Sequence, residues 1–283
     1  MNRIAVVTDS ASNLPPDVAV HHDITVVPIY LHWDGRTYRD GVDITPGEIY
    51  RRLRENKHLP HTAAPSAGDF LQTYLRLGHE AEGIVSIHLP AELSSTIGAA
   101  RLAADLAAEE APVRVVDAGT AAMGAGFVAL AAARAAAQGA GLDAVAQVAR
   151  EASPKVMVYA MLDTLEYLWR GGRIGRAAAL VGAALQIKPI LYLNNNVVDV
   201  LAKPRTRSRA LRVMLDEMAR RVDGRPVHVA VLHADAPVEA RLLREQVEAR
   251  FRCAEVLTSP FTPVMGAHTG PGLLGLAFYP EEE

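Results

Sequence analysis

The strongest constraint on the fold is a repeated alternation of short β-branched runs with amphipathic helical segments. In the first half of the chain these runs lie at residues 4–7, 24–30, 83–87 and 113–116. Because strands joined through a helix lie parallel in one sheet, the alternation predicts a parallel sheet covered by helices. Two helix starts are well marked. Thr45-Pro46-Gly47-Glu48 has capping-box residues with proline in the first turn, and residues 66–69 begin the next helix.

A second series of strands begins near residue 155 and predicts a second α/β unit. Its apolar runs lie at 156–161, 187–193, 197–202, 227–233 and 273–279. Asn194-Asn195-Asn196 separates two of them and predicts one antiparallel hairpin, since asparagine tolerates a positive φ. An apolar stripe at helical spacing over 210–222 predicts a buried helix. The predicted fold is two α/β lobes, 1–155 and 156–283, with largely parallel sheets and a ligand cleft near their junction.

Composition restricts the class of protein and its surroundings. The 283 residues are 50% hydrophobic and 22% charged, as in an ordinary globular protein, and the net charge of −3 argues against binding nucleic acid. Cys253 is the only cysteine, so we expect neither a disulfide framework nor a multi-cysteine zinc site. His21 and His22 are adjacent and poorly arranged for a metal, so no metal is expected.

The first residues and the most apolar stretch both favour a cytoplasmic protein. The chain begins with a strand-like run instead of a basic-then-apolar secretory leader. The stretch 121–137 is rich in alanine and contains Arg134, which is costly in lipid. We therefore expect a buried helix there and no membrane span.

Three polar turns are candidates for a ligand site. They are His61-Thr62-Ala63-Ala64-Pro65-Ser66, Leu93-Ser94-Ser95-Thr96, and the stretch 266–272 with His268. Hydroxyls beside a helix start suit an anion, but they also serve as ordinary N-caps, and Ser66 is a better cap candidate than Thr62. His268 would donate to an anion, act as a base, or stabilise its turn, in a segment too rich in turn formers to predict regular structure.

Other charged residues carry weaker signals. Asp9 and Asp117 end two strands, where aspartate most often makes a turn or caps a helix. Arginines occur in the glycine turn at 170–173 and after the hairpin at 205–209, where they would bind phosphate, dock an acidic partner, or face solvent. The glycines at 119–126 lack the spacing of a phosphate loop or a dinucleotide fingerprint.

Several motifs together resemble the DegV family of bacterial fatty-acid-binding proteins over residues 3–281. They are Thr8-Asp9-Ser10, Gly41-Val42-Asp43-Ile44, Leu165-Glu166-Tyr167-Leu168, Gly171-Gly172-Arg173-Ile174, Lys188-Pro189-Ile190 and the stretch 266–272. The resemblance implies one unit of two α/β lobes. It also implies a lipid-binding protein without a cofactor, not an enzyme, that holds a long-chain fatty acid such as palmitate in a tunnel between or within the lobes.

The resemblance also implies roles for single residues. Family members hold the carboxylate through a threonine in a Thr-Ser-Gln-Pro-Ser turn and a serine in a Leu-Ser-Gly-Thr turn, which match Thr62 and Ser94 here. The surrounding turns differ, because alanines follow Thr62 and Ser95 replaces the family's glycine. Ser95 and His268 are expected to support the polar network.

A partner protein is a further implication of the resemblance. Some family members present the fatty acid to a separate fatty acid kinase that makes acyl phosphate for lipid synthesis. Arg173 and Arg205 match family positions and would contact that kinase or the phosphate. Transient contact with a membrane surface, in lipid transport or fatty acid metabolism, is expected as well.

Two enzyme classes compete with this interpretation. A serine hydrolase would use Ser94, His268 and an aspartate such as Asp117, yet Ser94 lacks the Gly-x-Ser-x-Gly elbow. A small-molecule kinase lacks both a phosphate loop and a cluster of metal-binding carboxylates in the sequence. The residues themselves favour binding over catalysis.

Overall fold

The computed structural model describes residues 3–55, 58–181, 187–194 and 196–281, in which strands and helices alternate. The strands are β1 (Ile4–Asp9), β2 (Ile24–Val27), β3 (Tyr30–Trp33), β4 (Arg36–Arg39), β5 (His61–Ala63), β6 (Gly83–His88), β7 (Val113–Asp117), β8 (Met157–Met161), β9 (Ile190–Asn194), β10 (Val197–Ala202), β11 (Val227–His233), β12 (Cys253–Pro260) and β13 (Leu274–Pro280). The helices are α1 (Pro16–His21), α2 (Pro46–Glu55), α3 (Ala67–Gly78), α4 (Thr96–Ala107), α5 (Met123–Ala137), α6 (Leu142–Ala152), α7 (Glu166–Arg170), α8 (Arg207–Val222), α9 (Pro237–Arg250) and α10 (Pro263–Thr269). Short 3₁₀ helices occupy Ser10–Ser12, Ser153–Lys155 and Gly175–Leu180.

The chain divides into two compact units. The first contains Met1–Asp43 and Thr62–Val156, and the second contains Ile44–His61 and Met157–Glu283. A single boundary near residue 155 would leave α2 in the first unit, whereas the structure groups it with the second. The reason is that α2 contacts α10 and the segments before it: the buried Tyr50 hydroxyl donates to the Phe261 carbonyl at 3.4 Å, and Arg54 pairs with Asp235.

The first unit is built on a four-stranded, fully parallel sheet in the order β2-β1-β6-β7. Every residue of β1 and β6 is buried, as expected of a parallel sheet covered on both faces. Ala5, Val7 and Ile84 pack with α3 and α4 in one core cluster, while α5 and α6 contact β1, β6 and β7. The predicted parallel sheet with covering helices is confirmed here.

A small antiparallel hairpin in this unit departs from the prediction. The run at 24–30 was expected to form one strand, but β2 ends at Val27 and β3 begins at Tyr30. Pro28 separates them, and a proline cannot donate to a strand ladder. β3 then pairs with β4 through Asp34 and Gly35, both at positive φ, and the three-stranded order is β4-β3-β5.

The second unit contains a mixed sheet in the order β10-β9-β8-β13-β11-β12. The α/β class is confirmed, but the expectation of largely parallel strands is wrong for this sheet. Among the described strands of this sheet, β11 and β12 form the one parallel pair. β9 pairs antiparallel with β8 and β10, and β13 enters between β8 and β11 and runs antiparallel to both. The predicted hairpin of β9 and β10 is confirmed, with Asn196 at φ 64, while Asn195 lies outside the described residues.

Helix burial follows the predicted stripes. In α8, Ala210, Met214, Leu215, Met218 and Val222 are buried in the core of the second unit. The alanine-rich stretch forms α5, with ten of its residues buried in the first unit. Across the described part of the chain, no helix combines the length and the hydropathy needed to cross a bilayer.

Candidate functional site

The first unit's sheet has a topological switch point between its two central strands. The chain passes from β1 to β2 on one side of the sheet and from β6 to β7 on the other. Loops leaving the carboxyl ends of β1 and β6 therefore diverge, and ligands in open α/β sheets bind in the crevice formed at such a point. The loop after β6 carries Ser94, which places this predicted residue at the carboxyl edge.

Ser94 lies at the amino end of α4. Its half-buried hydroxyl is 2.9 Å from the Thr96 hydroxyl and accepts a hydrogen bond from the Thr96 amide at 3.3 Å. The first turn of a twelve-residue helix presents amides without intrahelical acceptors, together with the positive end of the helix dipole. Ser95 occupies the N-cap position but is exposed, and its side chain makes no capping bond. The Ser94 and Thr96 hydroxyls therefore lie at the same helix start as the first amides of α4.

Thr62 lies in β5, and the cap of the following helix is a different residue. Ser66 accepts from the Asp69 amide at 3.1 Å, and the Asp69 carboxylate accepts from the Ser66 amide at 2.8 Å. This reciprocal capping box confirms Ser66 as the cap of α3. Thr62 is half-buried and does not perform that structural task. Thr62 and Ser94 both belong to the first unit.

A buried polar chain beneath this edge was not predicted. The Asp9 carboxylate lies 2.8 Å from His88 Nδ1, His88 Nε2 lies 2.7 Å from the Ser86 hydroxyl, and the Tyr74 hydroxyl donates to Ser86 at 2.8 Å. All four side chains are almost fully buried. Burial raises the pKa of Tyr74, so its hydroxyl remains a donor. The available sequence signal is Ser86 and His88 on the same face of one strand.

The hydrogen-bonded series aspartate, histidine, serine also occurs in hydrolases, but the surroundings of these three side chains differ from those of a catalytic site. Ser86 is completely buried and already accepts from Tyr74, so its oxygen is not presented to a substrate. The other Asp9 oxygen accepts from the Ala11 amide at 2.9 Å and caps the 3₁₀ helix after β1. The predicted structural role of Asp9 is therefore confirmed. The hydrogen bond between Asp9 and His88 connects the carboxyl ends of β1 and β6.

In the second unit, His268 lies on a helix and not in an irregular turn. The expectation that residues 266–272 lack regular structure is wrong for 266–269, because Thr262 caps α10 and Pro263 occupies its first turn, and it holds for 270–272, which follow the helix. Gly266 fits inside α10 because it faces Tyr50, and a Cβ there would lie 2.7 Å from the tyrosine oxygen. The glycine in this helix thus permits close packing instead of ending the helix.

His268 lies beside Gly171 and Arg173. A Cβ on Gly171 would come within 2.5 Å of His268 Nδ1, and the Arg173 guanidinium donates to the Gly171 carbonyl at 2.9 Å. Burial, assisted by the positive charge of Arg173, lowers the pKa of His268 to about 4. The imidazole is therefore neutral at pH 7 and has one N–H donor. Two of the predicted residues, His268 and Arg173, are thus neighbours.

Arg205 differs from the arginine that follows two positions later. It is exposed, and within the described ranges it forms neither a hydrogen bond nor an ion pair. Arg207 instead pairs with Asp163 at 2.8 Å and donates to the Gly272 carbonyl at 2.8 Å. The arginines after the hairpin therefore do not act as one cluster.

The geometry does not favour the hydrolase alternative. A histidine with a pKa of about 4 is a weak general base at neutral pH. The Asp117 carboxylate accepts from the Gly119 amide at 2.8 Å, which is the turn role expected of it. Among the residues whose placement is described, no group of three or more His, Cys, Asp or Glu side chains is arranged to hold a metal ion.

These features define a two-unit α/β protein with hydroxyl and amide donors at a helix start beside a sheet switch point. The family model described as an uncharacterised protein of the DegV family matches residues 3–281. The chain belongs to the DegV family.

Relatives and solved structures agree with this assignment. A DegV domain-containing protein of Streptomyces coelicolor is 41% identical over 275 residues, covering 96% of this chain and 97% of the relative. A fatty-acid-binding DegV family protein from Thermus thermophilus matches with a TM-score of 0.92 at 34% identity, covering 99% and 100% of the two chains. DegV of Bacillus subtilis, a fatty acid binding protein, matches with a TM-score of 0.92 at 30% identity over 99% and 100%.

Proposed function

We propose that this protein binds a long-chain fatty acid such as palmitate and holds its carboxylate through Thr62 and Ser94. The observation that carries the proposal is the Ser94 hydroxyl at the amino end of α4, on the carboxyl edge beside the switch point. A carboxylate there would gain charge-assisted hydrogen bonds and the favourable end of the helix dipole. The fatty-acid-binding neighbours from Thermus thermophilus and Bacillus subtilis support the choice of ligand.

The energetics of such a ligand require both an apolar channel and a polar end. Burying an alkyl chain gains about 0.8 kcal/mol per methylene, so a long chain offsets the cost of association. A carboxylate stripped of water without hydrogen-bond partners would cost several kcal/mol. Ser95 and His268 are assigned to the supporting polar network, where the neutral His268 imidazole would serve as a donor and not as a base.

The proposed protein is a carrier and not a catalyst. It would present the fatty acid to a separate fatty acid kinase, in lipid transport or fatty acid metabolism, with transient contact at a membrane surface. Arg205 supports a partner role, since it is exposed and has no ion pair within the described residues. Arg173 would contact the kinase or the phosphate from its place beside His268.

The test of ligand binding starts from natively purified protein, whose bound lipid is extracted and identified by mass spectrometry. We expect near-stoichiometric fatty acid in the native protein and depletion in a double variant with Thr62→Ala and Ser94→Ala. Losing two hydroxyl donors to a carboxylate should weaken binding by roughly tenfold or more. A control with Thr45→Ala and Thr206→Ala removes two helix-cap hydroxyls of the second unit and should retain the lipid.

Two further outcomes decide against parts of the proposal. Absence of lipid, even after incubation with candidate acids, would contradict fatty acid binding, and stoichiometric labelling of Ser94 by a serine-directed phosphonate would indicate a hydrolase. The partner role is tested separately with Arg205→Glu in a reconstituted fatty acid kinase assay. Unchanged acyl phosphate formation in that variant would contradict the role of Arg205.

A further inference from the structure

Three charged side chains meet at the turn that follows α10. The Asp163 Oδ1 atom lies 2.8 Å from Lys188 Nζ and 2.8 Å from Arg207 Nη1. The same Arg207 nitrogen donates to the Gly272 carbonyl at 2.8 Å. These residues come from the segment after β8, the approach to β9 and the first turn of α8. We name Asp163, Lys188 and Arg207 the Asp163 cluster.

The Asp163 carboxylate also packs directly on the turn. Gly272 has φ +90, and a Cβ there would lie 2.3 Å from Asp163 Oδ2. The Gly272 amide donates to the Ala234 carbonyl at 2.7 Å, so the residue is held through its amide, its carbonyl and its α-carbon. Two residues earlier, Gly270 packs equally closely on the Tyr167 ring of α7. The turn 270–272 is thus clamped from several sides immediately after the helix that carries His268.

The Asp163 cluster is organised for geometry more than for stability. Its three side chains are 28 to 34% exposed, and ion pairs at that exposure contribute little to the free energy of unfolding. Burial alone would raise the pKa of Asp163, but the hydrogen bonds from Lys188 and Arg207 outweigh it and hold the pKa below its ordinary value. Asp163 is therefore ionised at neutral pH and keeps both cations in place.

We propose that Asp163 is a positioning residue for His268, acting through Lys188, Arg207 and the turn 270–272. By fixing the end of α10, the cluster keeps the imidazole against Gly171 and beside Arg173. The consequence for ligand binding rests on the proposed function, in which His268 serves the carboxylate network. The positioning itself is measurable in the protein without ligand.

Protonation of His268 provides the readout, because Arg173 is the charged group that lowers the pKa of its imidazole among the described residues. α10 packs against α2 and α7, where Tyr50 lies against Gly266 and Tyr167 lies against Gly270. Removing the negative charge of Asp163 would, through space, lower the pKa of His268. Releasing the turn would instead hydrate the imidazole and raise that pKa. The direction of the change therefore distinguishes positioning from direct electrostatics.

The experiment uses the full chain with isotopically labelled histidine, and NMR titration follows the imidazole assigned with His268→Gln. The expected pKa of His268 is about 4 in the unaltered protein. It should rise by about one unit or more in Asp163→Asn and in Arg207→Lys, which keeps the charge but loses the planar guanidinium. Asp216→Asn and Arg250→Lys break a comparable ion pair between α8 and α9 and should leave it unchanged.

Each outcome decides the matter. A folded Asp163→Asn protein in which the pKa of His268 is unchanged or lower would overturn the proposal. If that variant does not fold, Arg207→Lys decides in the same way. A shifted His268 in a protein that binds no fatty acid would refute the proposed function and leave the positioning role standing.

Discussion

Replacing Tyr74 with phenylalanine should destabilise the first unit by about 1 to 2 kcal/mol. The substitution keeps the ring, which is fully buried and lies 5.9 Å from the Phe70 ring, so packing is preserved. It removes the hydroxyl that donates to Ser86 at 2.8 Å. Ser86 keeps its hydrogen bond with His88. The loss of stability should therefore be larger than for a solvent-exposed hydrogen bond and smaller than for a buried polar group left without any partner.

The two tryptophans allow each unit to be followed separately. Trp33 is buried in the first unit, while Trp169 is exposed in the second. In a Trp169→Phe background, fluorescence during urea unfolding reports the first unit, and Tyr74→Phe should lower the midpoint. Since each kcal/mol of destabilisation lowers the thermal midpoint by about 2 to 4 °C in a protein of this size, the midpoint should fall by roughly 2 to 8 °C.

Tyr30→Phe is the matched control for this measurement. Its hydroxyl donates to Asp69 at 3.1 Å in the same unit but is only partly buried, so water replaces the lost bond. We expect less than about 0.5 kcal/mol of destabilisation. Equal effects of the two substitutions, or a more stable Tyr74→Phe protein, would refute the argument that the buried chain from Asp9 to Tyr74 depends on complete hydrogen bonding.

Three other outcomes follow from the geometry. The pKa of His268 is about 4 in the folded protein and near 6.5 when unfolded, so stability should be lost as the pH falls from about 6.5 to 4. Urea titrations at several pH values should show that the free energy of unfolding depends less on pH in His268→Gln. Gly270→Ala, at φ +70 with its Cβ 2.3 Å from an aromatic ring, should lower the thermal midpoint far more than Gly224→Ala, at φ +74 in open space, which should cost about 1 kcal/mol. Ser66→Ala should cost about 1 kcal/mol in chemical unfolding through its lost capping box, whereas Ser95→Ala, with no capping bond, should be neutral within about 0.5 kcal/mol.

The parallel sheet of the first unit was predictable because strands alternate with helices along the chain. β1 and β2 are joined through α1, and β6 and β7 through α4, so parallel alignment within each pair needs only this alternation and the right-handed crossover. The hairpin of β3 and β4 was not predicted, because the run at 24–30 predicts one strand in spite of Pro28. Asp34-Gly35 is nevertheless a strong hairpin signal.

The second sheet illustrates what local patterns do not contain. β13 comes last in the chain, yet it enters between β8 and β11 and makes both neighbours antiparallel. Nothing in the strand's own sequence specifies the position it takes, because its apolar residues suit any central strand. The hairpin of β9 and β10 was predictable by contrast, since its partners are adjacent in sequence and joined by asparagines.

In the candidate site, too, features set by neighbouring residues were predictable and features set by distant residues were not. The hydroxyls of Ser66 and Ser94 could be assigned to helix starts because a cap depends on residues only two or three positions away. The state of His268 depends on Arg173 and Gly171, nearly a hundred positions earlier, and its helix contains a glycine that packing against Tyr50 requires. A glycine-rich segment therefore indicates a loop only where its glycines are needed for backbone conformations such as a positive φ. Where they permit a close approach by another side chain, the same residues belong to a regular helix and hold a functional group in place.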